Sequence, residues 1–332
     1  VQGADPESPY IYPLSQPAGG NPGNIDEQRA YWVSEDTIAW SAGANVGATF
    51  TLHYAPDGGL HATGTGITGG SSLMLTPDPL GLPADVQAKF PHLASLPALK
   101  IDPVDLAMVP EILKGQIAVS TLDGGGLSID ATGLQIPGVL DDLYTYGGEL
   151  GVGWETGQPT VRVWAPTAKS VTLHLFDDSD PATTSSTYSM TLDSATGVWS
   201  VTGDAGWTYQ YYLFEVEVYV HSAGNVMHNL VTDPYSASLA MNSSRSQIAD
   251  LSDSMLQPMG WGDLQKPALP APEEISIYEI HVRDFSVNDP SVPAELKGTY
   301  KAFTLADTNG IDHLEALQEV GLTHLHLLPV FD

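Results

Sequence analysis

The 332 residues contain no cysteine, which excludes disulfide cross-links, thiol nucleophiles and cysteine-ligated zinc. Basic residues are scarce as well: 11 Lys and Arg stand against 40 Asp and Glu, a formal net charge of −29. So acidic a surface repels nucleic-acid phosphates and anionic lipid, so nucleic-acid and membrane partners that read a basic patch are disfavoured, whereas a neutral sugar is indifferent to it. The acidity itself reads as solubility, in a medium salty enough to screen self-repulsion. Long apolar runs are missing too, and no stretch reaches the roughly 20 residues that span a bilayer. Val1 opens no charged segment followed by an apolar run, so no signal peptide is visible. A trimmed N-terminus would look identical, and an extracellular or bacterial cell-surface location is the expectation.

The length predicts two to three domains of roughly 100–150 residues each. Residues 1–29, with Pro6, Pro9, Pro13, Pro17 and Pro22 among Gly, Asn and Ser, read as a tail or linker. From there to about residue 147, short apolar segments alternate with turn residues. Ala48-Thr-Phe-Thr-Leu-His-Tyr54 is closed by Pro56-Asp-Gly-Gly59, and residues 117–122 and 127–130 flank Asp123-Gly-Gly-Gly126. A short helix is predicted near residues 104–113. Residues 148–252 carry the clearest strands, in Val171-Thr-Leu-His-Leu-Phe176 and Tyr211-Tyr-Leu-Phe-Glu-Val-Glu-Val-Tyr-Val220. In the second, Tyr212, Phe214, Val216, Val218 and Val220 point one way and Glu215 and Glu217 the other, as in a sandwich with one wet face. A Pro-rich linker over 253–272 follows. Residues 273–332 then change pattern: a strand at 275–282, Ile311, Leu314, Leu317 and Val320 at helical spacing before Gly321, and a strand at 325–328. That order predicts a strand, helix, strand unit with parallel pairing.

Tyr278-Glu-Ile-His-Val-Arg-Asp-Phe-Ser286 and Thr323-His-Leu-His-Leu-Leu-Pro-Val-Phe-Asp332 resemble the first two strands of the barrel in pullulanase-type starch-debranching glycoside hydrolases of the alpha-amylase superfamily. Gly133-Leu-Gln-Ile-Pro-Gly-Val-Leu-Asp-Asp-Leu-Tyr144 and Pro159-Thr-Val-Arg-Val-Trp-Ala-Pro-Thr-Ala-Lys-Ser-Val-Thr-Leu-His-Leu175 resemble the same enzymes, and Asp233-Pro-Tyr-Ser236 with Ser244-Arg-Ser246 resembles the closing motif of their sandwich module. The resemblance implies a multidomain fold: two β-sandwich-like all-β domains followed by the opening strands of a (β/α)8 barrel. It implies hydrolysis of α-1,6 branch linkages in pullulan, starch or glycogen, with α-glucan as partner and the rest of the barrel in the same or another chain. A branching enzyme, an isoamylase or a non-catalytic sugar-binding or scaffold role remain alternatives.

Glycosidic hydrolysis needs two carboxyl groups flanking the bond. The superfamily's three come from strands four, five and seven of a barrel of typically about 250 residues, so none is expected in this chain. Asp332, at the end of the second strand, reads as a loop-start carboxylate. His281 and Arg283 share one side of the first strand with Asp284 opposite, and read as barrel-floor packing. His324 and His326 share a face, but two histidines without a third ligand are a weak metal signal, and polar packing is the reading. Asp177-Asp-Ser-Asp180 reads as a solvated turn without ordered calcium-ligand spacing. No cofactor is required by this stretch, with calcium left open for the longer enzyme. Sugar rings stack on exposed aromatics, which makes Trp199, Trp207 and Trp40 the candidate carbohydrate-binding residues, core burial being the competing reading for each.

Overall fold

The computed structural model describes residues 19–155, 157–269, 271–328 and 330. Asp332 lies outside them. The chain divides into two units, one running through Ala240 and including Ser244–Asp250, the other comprising Met241–Ser243 and the residues from Leu251 onward.

Nine strands open the first unit: β1 (Ala30–Ser34), β2 (Thr37–Ala39), β3 (Thr49–Ala55), β4 (His61–Thr63), β5 (Gly66–Thr68), β6 (Ser71–Asp78), β7 (Ala98–Ile101), β8 (Gln116–Leu122) and β9 (Ser128–Gln135). Seven of them close into a barrel in the order β1-β2-β7-β6-β3-β8-β9. The seam is a short parallel pairing of Ala30 with Leu134 and Tyr31 with Gln135. The expected first sandwich is therefore a closed barrel. Closure leaves no open edge, and strand alternation, which is the same in either architecture, carries no information about which strands pair across the seam.

Trp32, Ile38, Trp40, Phe50, Leu52, Leu75, Leu99 and Val119 fill the barrel, joined by Val109 and Ile112 and by Val139. After α1 (Ala84–Lys89), the segment 103–112 forms a 3-10 turn and α2 (Val109–Ile112), near where a short helix is predicted. α3 (Pro137–Leu143) starts on a proline, whose missing N–H costs nothing in a first turn. It lies close enough to β1 that a Cβ on Gly138 would come within 2.8 Å of the Val33 Cα and 2.9 Å of the Trp32 carbonyl. Gly133 is under the same constraint from the carbonyls of Ile25 and Glu27. Both glycines of the 133–144 motif are thus required by close backbone approach.

The sandwich consists of β10 (Gly151–Glu155), β11 (Gln158–Trp164), β12 (Ser170–Phe176), β13 (Ser186–Ser189), β14 (Thr191–Asp193), β15 (Val198–Thr202), β16 (Tyr211–Val220), β17 (Asn225–Val231) and β18 (Ser246–Gln247). One sheet runs β10-β11-β15-β14, the other β13-β12-β16-β17 with β18 on β16. Tyr212 and Phe214 are fully buried with Val161, Val171, Leu173 and Ile248, as their alternation with Glu215 and Glu217 predicts. The 233–246 motif locks this core. Tyr212 donates to Asp233 at 2.7 Å, Ser246 Oγ accepts from the Asp233 N–H at 2.9 Å, and the Arg245 guanidinium lies 3.7 Å over the Phe176 ring. Barrel and sandwich meet through Lys169 to Asp57 at 2.7 Å and through His221 Nε2, which donates to the Asp26 carbonyl at 3.1 Å.

In the second unit, β19 (Ile277–His281) and β20 (His324–Leu328) pair in parallel, Ile277 opposite His324 and His281 opposite Leu328. Between them come α4 (Val282–Ser286) and α5 (Asn309–Glu319), the latter N-capped by Thr308 and followed by Gly321 at φ +110°. Among the described residues, no helix is long and apolar enough to cross a membrane.

Candidate functional site

The fold removes the three candidate tryptophans from the surface. Trp40 is 0% exposed inside the barrel, Trp199 8% and Trp207 5% within the sandwich. The Trp199 ring N–H donates to the Ala165 carbonyl at 3.0 Å. Trp207 lies so close to Gly203 that a Cβ there would sit 2.1 Å from the ring. None of the three offers a face to a sugar, because each is worth more as buried apolar area than as an exposed platform.

What Trp207 does instead is support a surface aromatic. Tyr188 on β13 lies 4.7 Å from it between ring centroids, tilted by 56°, and is 36% exposed. Every residue of β13 is exposed, and Tyr188 pairs across to the buried Leu173 of β12. The ring therefore lies on the core-facing side of an outer strand, backed by a fixed indole. The sequence signal was available: a lone aromatic in the Ser- and Thr-rich run 183–189 has little local apolar company to bury it.

On the opposite face of the same sheet, register brings three titratable side chains together. Glu215 accepts from His174 Nε2 at 2.7 Å and from His228 Nδ1 at 3.1 Å, and the other His174 nitrogen lies 3.0 Å from Ser185 Oγ. The His174 hydrogen bond, ahead of that from His228, holds the Glu215 carboxyl below the usual carboxylate range. A carboxylate kept ionised is the reverse of a general acid, which needs its proton affinity raised. This cluster is therefore not suited to proton donation.

The acidic loop at 177–180 spends its carboxylates on hydrogen bonds within the sandwich. Asp178 accepts from the Asp180 N–H at 2.9 Å and from Thr183 Oγ1 at 2.6 Å, and Asp177 accepts from Gln210 at 2.9 Å. Thr183 is the main cause of the lowered Asp178 pKa. Among the described residues no three His, Asp or Glu side chains are grouped to hold a metal ion.

Among the described residues Arg283 and Asp284 are exposed and pack against no barrel floor. The strand stops at His281, whose Nδ1 accepts the Arg283 N–H at 3.2 Å and starts α4, and the two charged side chains lie in solvent 3.5 Å apart. With the strand ended by this cap, the alternation that placed them on opposite faces no longer applies. His324 and His326 are exposed, not packed; His326 meets Glu279 at 3.0 Å and His324 the Thr323 hydroxyl at 2.9 Å.

Comparison with known proteins matches residues 27–142 to the pullulanase N2 domain and residues 149–236 to carbohydrate-binding module 48, the isoamylase N-terminal domain. The chain is 39% identical over 91% of its length to the chloroplastic pullulanase 1 of Arabidopsis thaliana, covering 31% of it, and 38% identical over 91% to the pullulanase of Klebsiella pneumoniae, covering 28%. The crystal structure of Klebsiella pneumoniae pullulanase complexed with maltotriose superimposes on 93% of this chain with a TM-score of 0.85 at 36% identity, and the match takes in 30% of that chain. The chain thus spans about a third of the length of these relatives. The barrel matches the N2 domain and the sandwich the carbohydrate-binding module, so the chain carries, in order, N-terminal and carbohydrate-binding domains of the pullulanase family.

Proposed function

We propose that this chain is the auxiliary N-terminal portion of an enzyme that hydrolyses α-1,6 branch linkages in pullulan, starch or glycogen, and that residues 273–332 are the beginning of its (β/α)8 catalytic barrel. The observation that carries this reading is order: an N2 domain, a carbohydrate-binding module and a parallel strand, helix, strand unit follow one another. The last of these is incomplete by physical criteria. α5 buries no residue although Ile311, Leu314 and Leu317 line one side, and Ile277, Leu325 and Leu328 on the paired strands are exposed. A two-stranded parallel sheet needs further layers to cover both faces. In a (β/α)8 enzyme, catalytic groups come from the ends of several strands around the ring. On this reading the reaction belongs to strands beyond β20, and the sandwich contributes α-glucan contact through Tyr188.

The test is release of reducing sugar from pullulan by the 332-residue chain alone and by the same chain continued through a complete pullulanase barrel. The expected result is no cleavage by the first and α-1,6 cleavage by the second. Turnover by the short chain would overturn the placement of the catalytic groups, and a continued protein active only on α-1,4 linkages would overturn the debranching assignment.

A further inference from the structure

Where the N2 barrel meets the sandwich, a cleft of about 270 Å³ opens between the barrel's β8 and β9 ends and the far end of β16. Its apolar wall comes from Leu113, Ile117, Leu134 and Val218. Of its polar side chains, the Gln28 amide and the Thr167 hydroxyl have no side-chain partner among the described residues, whereas Gln135 donates to the Gln28 carbonyl and His221 to that of Asp26; the ring of Tyr219 lies beside them. The Tyr219 hydroxyl itself is buried out of reach of solvent, so the ring and not the hydroxyl lines the cleft. The one ammonium at the cleft, Lys114, is already taken by Glu111 at 2.7 Å. No unpaired cation is left there to draw an anion into a chain of net charge −29.

We infer that this barrel–sandwich cleft is a second carbohydrate site, taking the terminal one or two rings of an α-glucan. A pyranose presents apolar C–H faces and a rim of hydroxyls, which matches an aliphatic wall and a tyrosine ring facing an amide and a threonine. The volume lies at the small end for ligand pockets, which fits a chain end rather than a long helix of glucan. Because barrel and sandwich each supply one wall, an occupied cleft ties the two domains together through the ligand. The choice of α-glucan rests on the debranching reading, whereas the location of the site does not.

The experiment is calorimetric titration of maltotriose into the full 332-residue chain carrying Tyr188→Ala, which removes the exposed ring on β13. Binding is expected to persist in that background and to weaken about tenfold or more when Thr167→Trp fills the cleft. Gln28→Ala, at an exposed rim position, removes one hydrogen bond and gives a weakening of about threefold to tenfold should the tryptophan variant not fold. Abolition of binding by Tyr188→Ala alone, cleft variants that bind like their parent, or no maltotriose binding at all would overturn the site. Each of these leaves the pullulan result above untouched, so failure of the cleft and failure of the debranching reading are separable.

Discussion

On β3 of the barrel, His53 lies with its Nε2 2.9 Å from the hydroxyl of buried Ser120, and burial pulls its pKa down to about 4. The folded value lies below the unfolded one of 6.5, so the neutral ring is the form the fold favours. Its contribution is complete above pH 6.5 and is lost as pH falls from 6.5 toward 4, about 2 kcal/mol by pH 5. Urea midpoints at pH 7 and pH 5 should differ less for His53→Phe than for the parent, and equal differences would refute the assignment. Asp233 works with the opposite sign. Burial, outweighing the Tyr212 hydrogen bond, raises its pKa, so its contribution is complete below the unfolded value and is lost as pH rises through the folded one. The stability gap between the parent and Asp233→Asn should therefore narrow from pH 4 to neutral pH. At the surface, Tyr188→Ala should lower retention on immobilised glucan with a modest fall in melting temperature, whereas Trp207→Ala should lower both strongly, costing about 3–5 kcal/mol as a buried-aromatic deletion.

At the scale of elements, Gly138 in α3 gives a sharp prediction. An added methyl would meet the Val33 Cα and the Trp32 carbonyl, which are backbone and cannot turn aside. Gly138→Ala should cost about 1–3 kcal/mol, against roughly 0.5 kcal/mol or less for Gly147→Ala, where nothing lies within 4 Å. Chemical denaturation of the two variants decides it. The strands themselves were legible, because alternation is a local signal: β16 spans the residues that alternation assigns to it, and Glu215 and Glu217 take the wet face. Barrel closure was not legible, since the β1–β9 seam joins residues about a hundred positions apart through backbone groups that every residue carries. The candidate site was misread for a related reason. Tryptophan count says nothing about which rings are buried, and here the tryptophan singled out at 207 serves as the support of an exposed tyrosine.

For the molecule as a whole, the two units differ in how well their backbones are covered. Both sheets of the sandwich contribute to one core, and the N2 barrel has no free edge, so global unfolding should set the exchange of their inner amides. The β19–β20 pair has only two strands, each with an outer edge of unpaired N–H and C=O groups, and an exposed Ile277 and Leu325. Its amides should open locally, well below the global stability. Hydrogen exchange on this chain should show Ile277–His281 and His324–Leu328 exchanging far faster than Tyr211–Val220. The same amides should become protected once the chain is continued through the remaining barrel strands. Acid adds a second handle on this unit. Asp289 accepts from Asn309 Nδ2 and from the Gly310 N–H at the start of α5, and with its Ser291 hydrogen bonds as the main cause its pKa falls to about 2. A depressed carboxylate stabilises above its unfolded value and loses that effect as pH falls from about 3.8 to 2. Exchange in α5 should therefore quicken over that interval in the parent, after correction for intrinsic rates, and not in Asp289→Asn. Identical pH profiles for the two proteins would remove Asp289 as the acid-sensitive tie on α5.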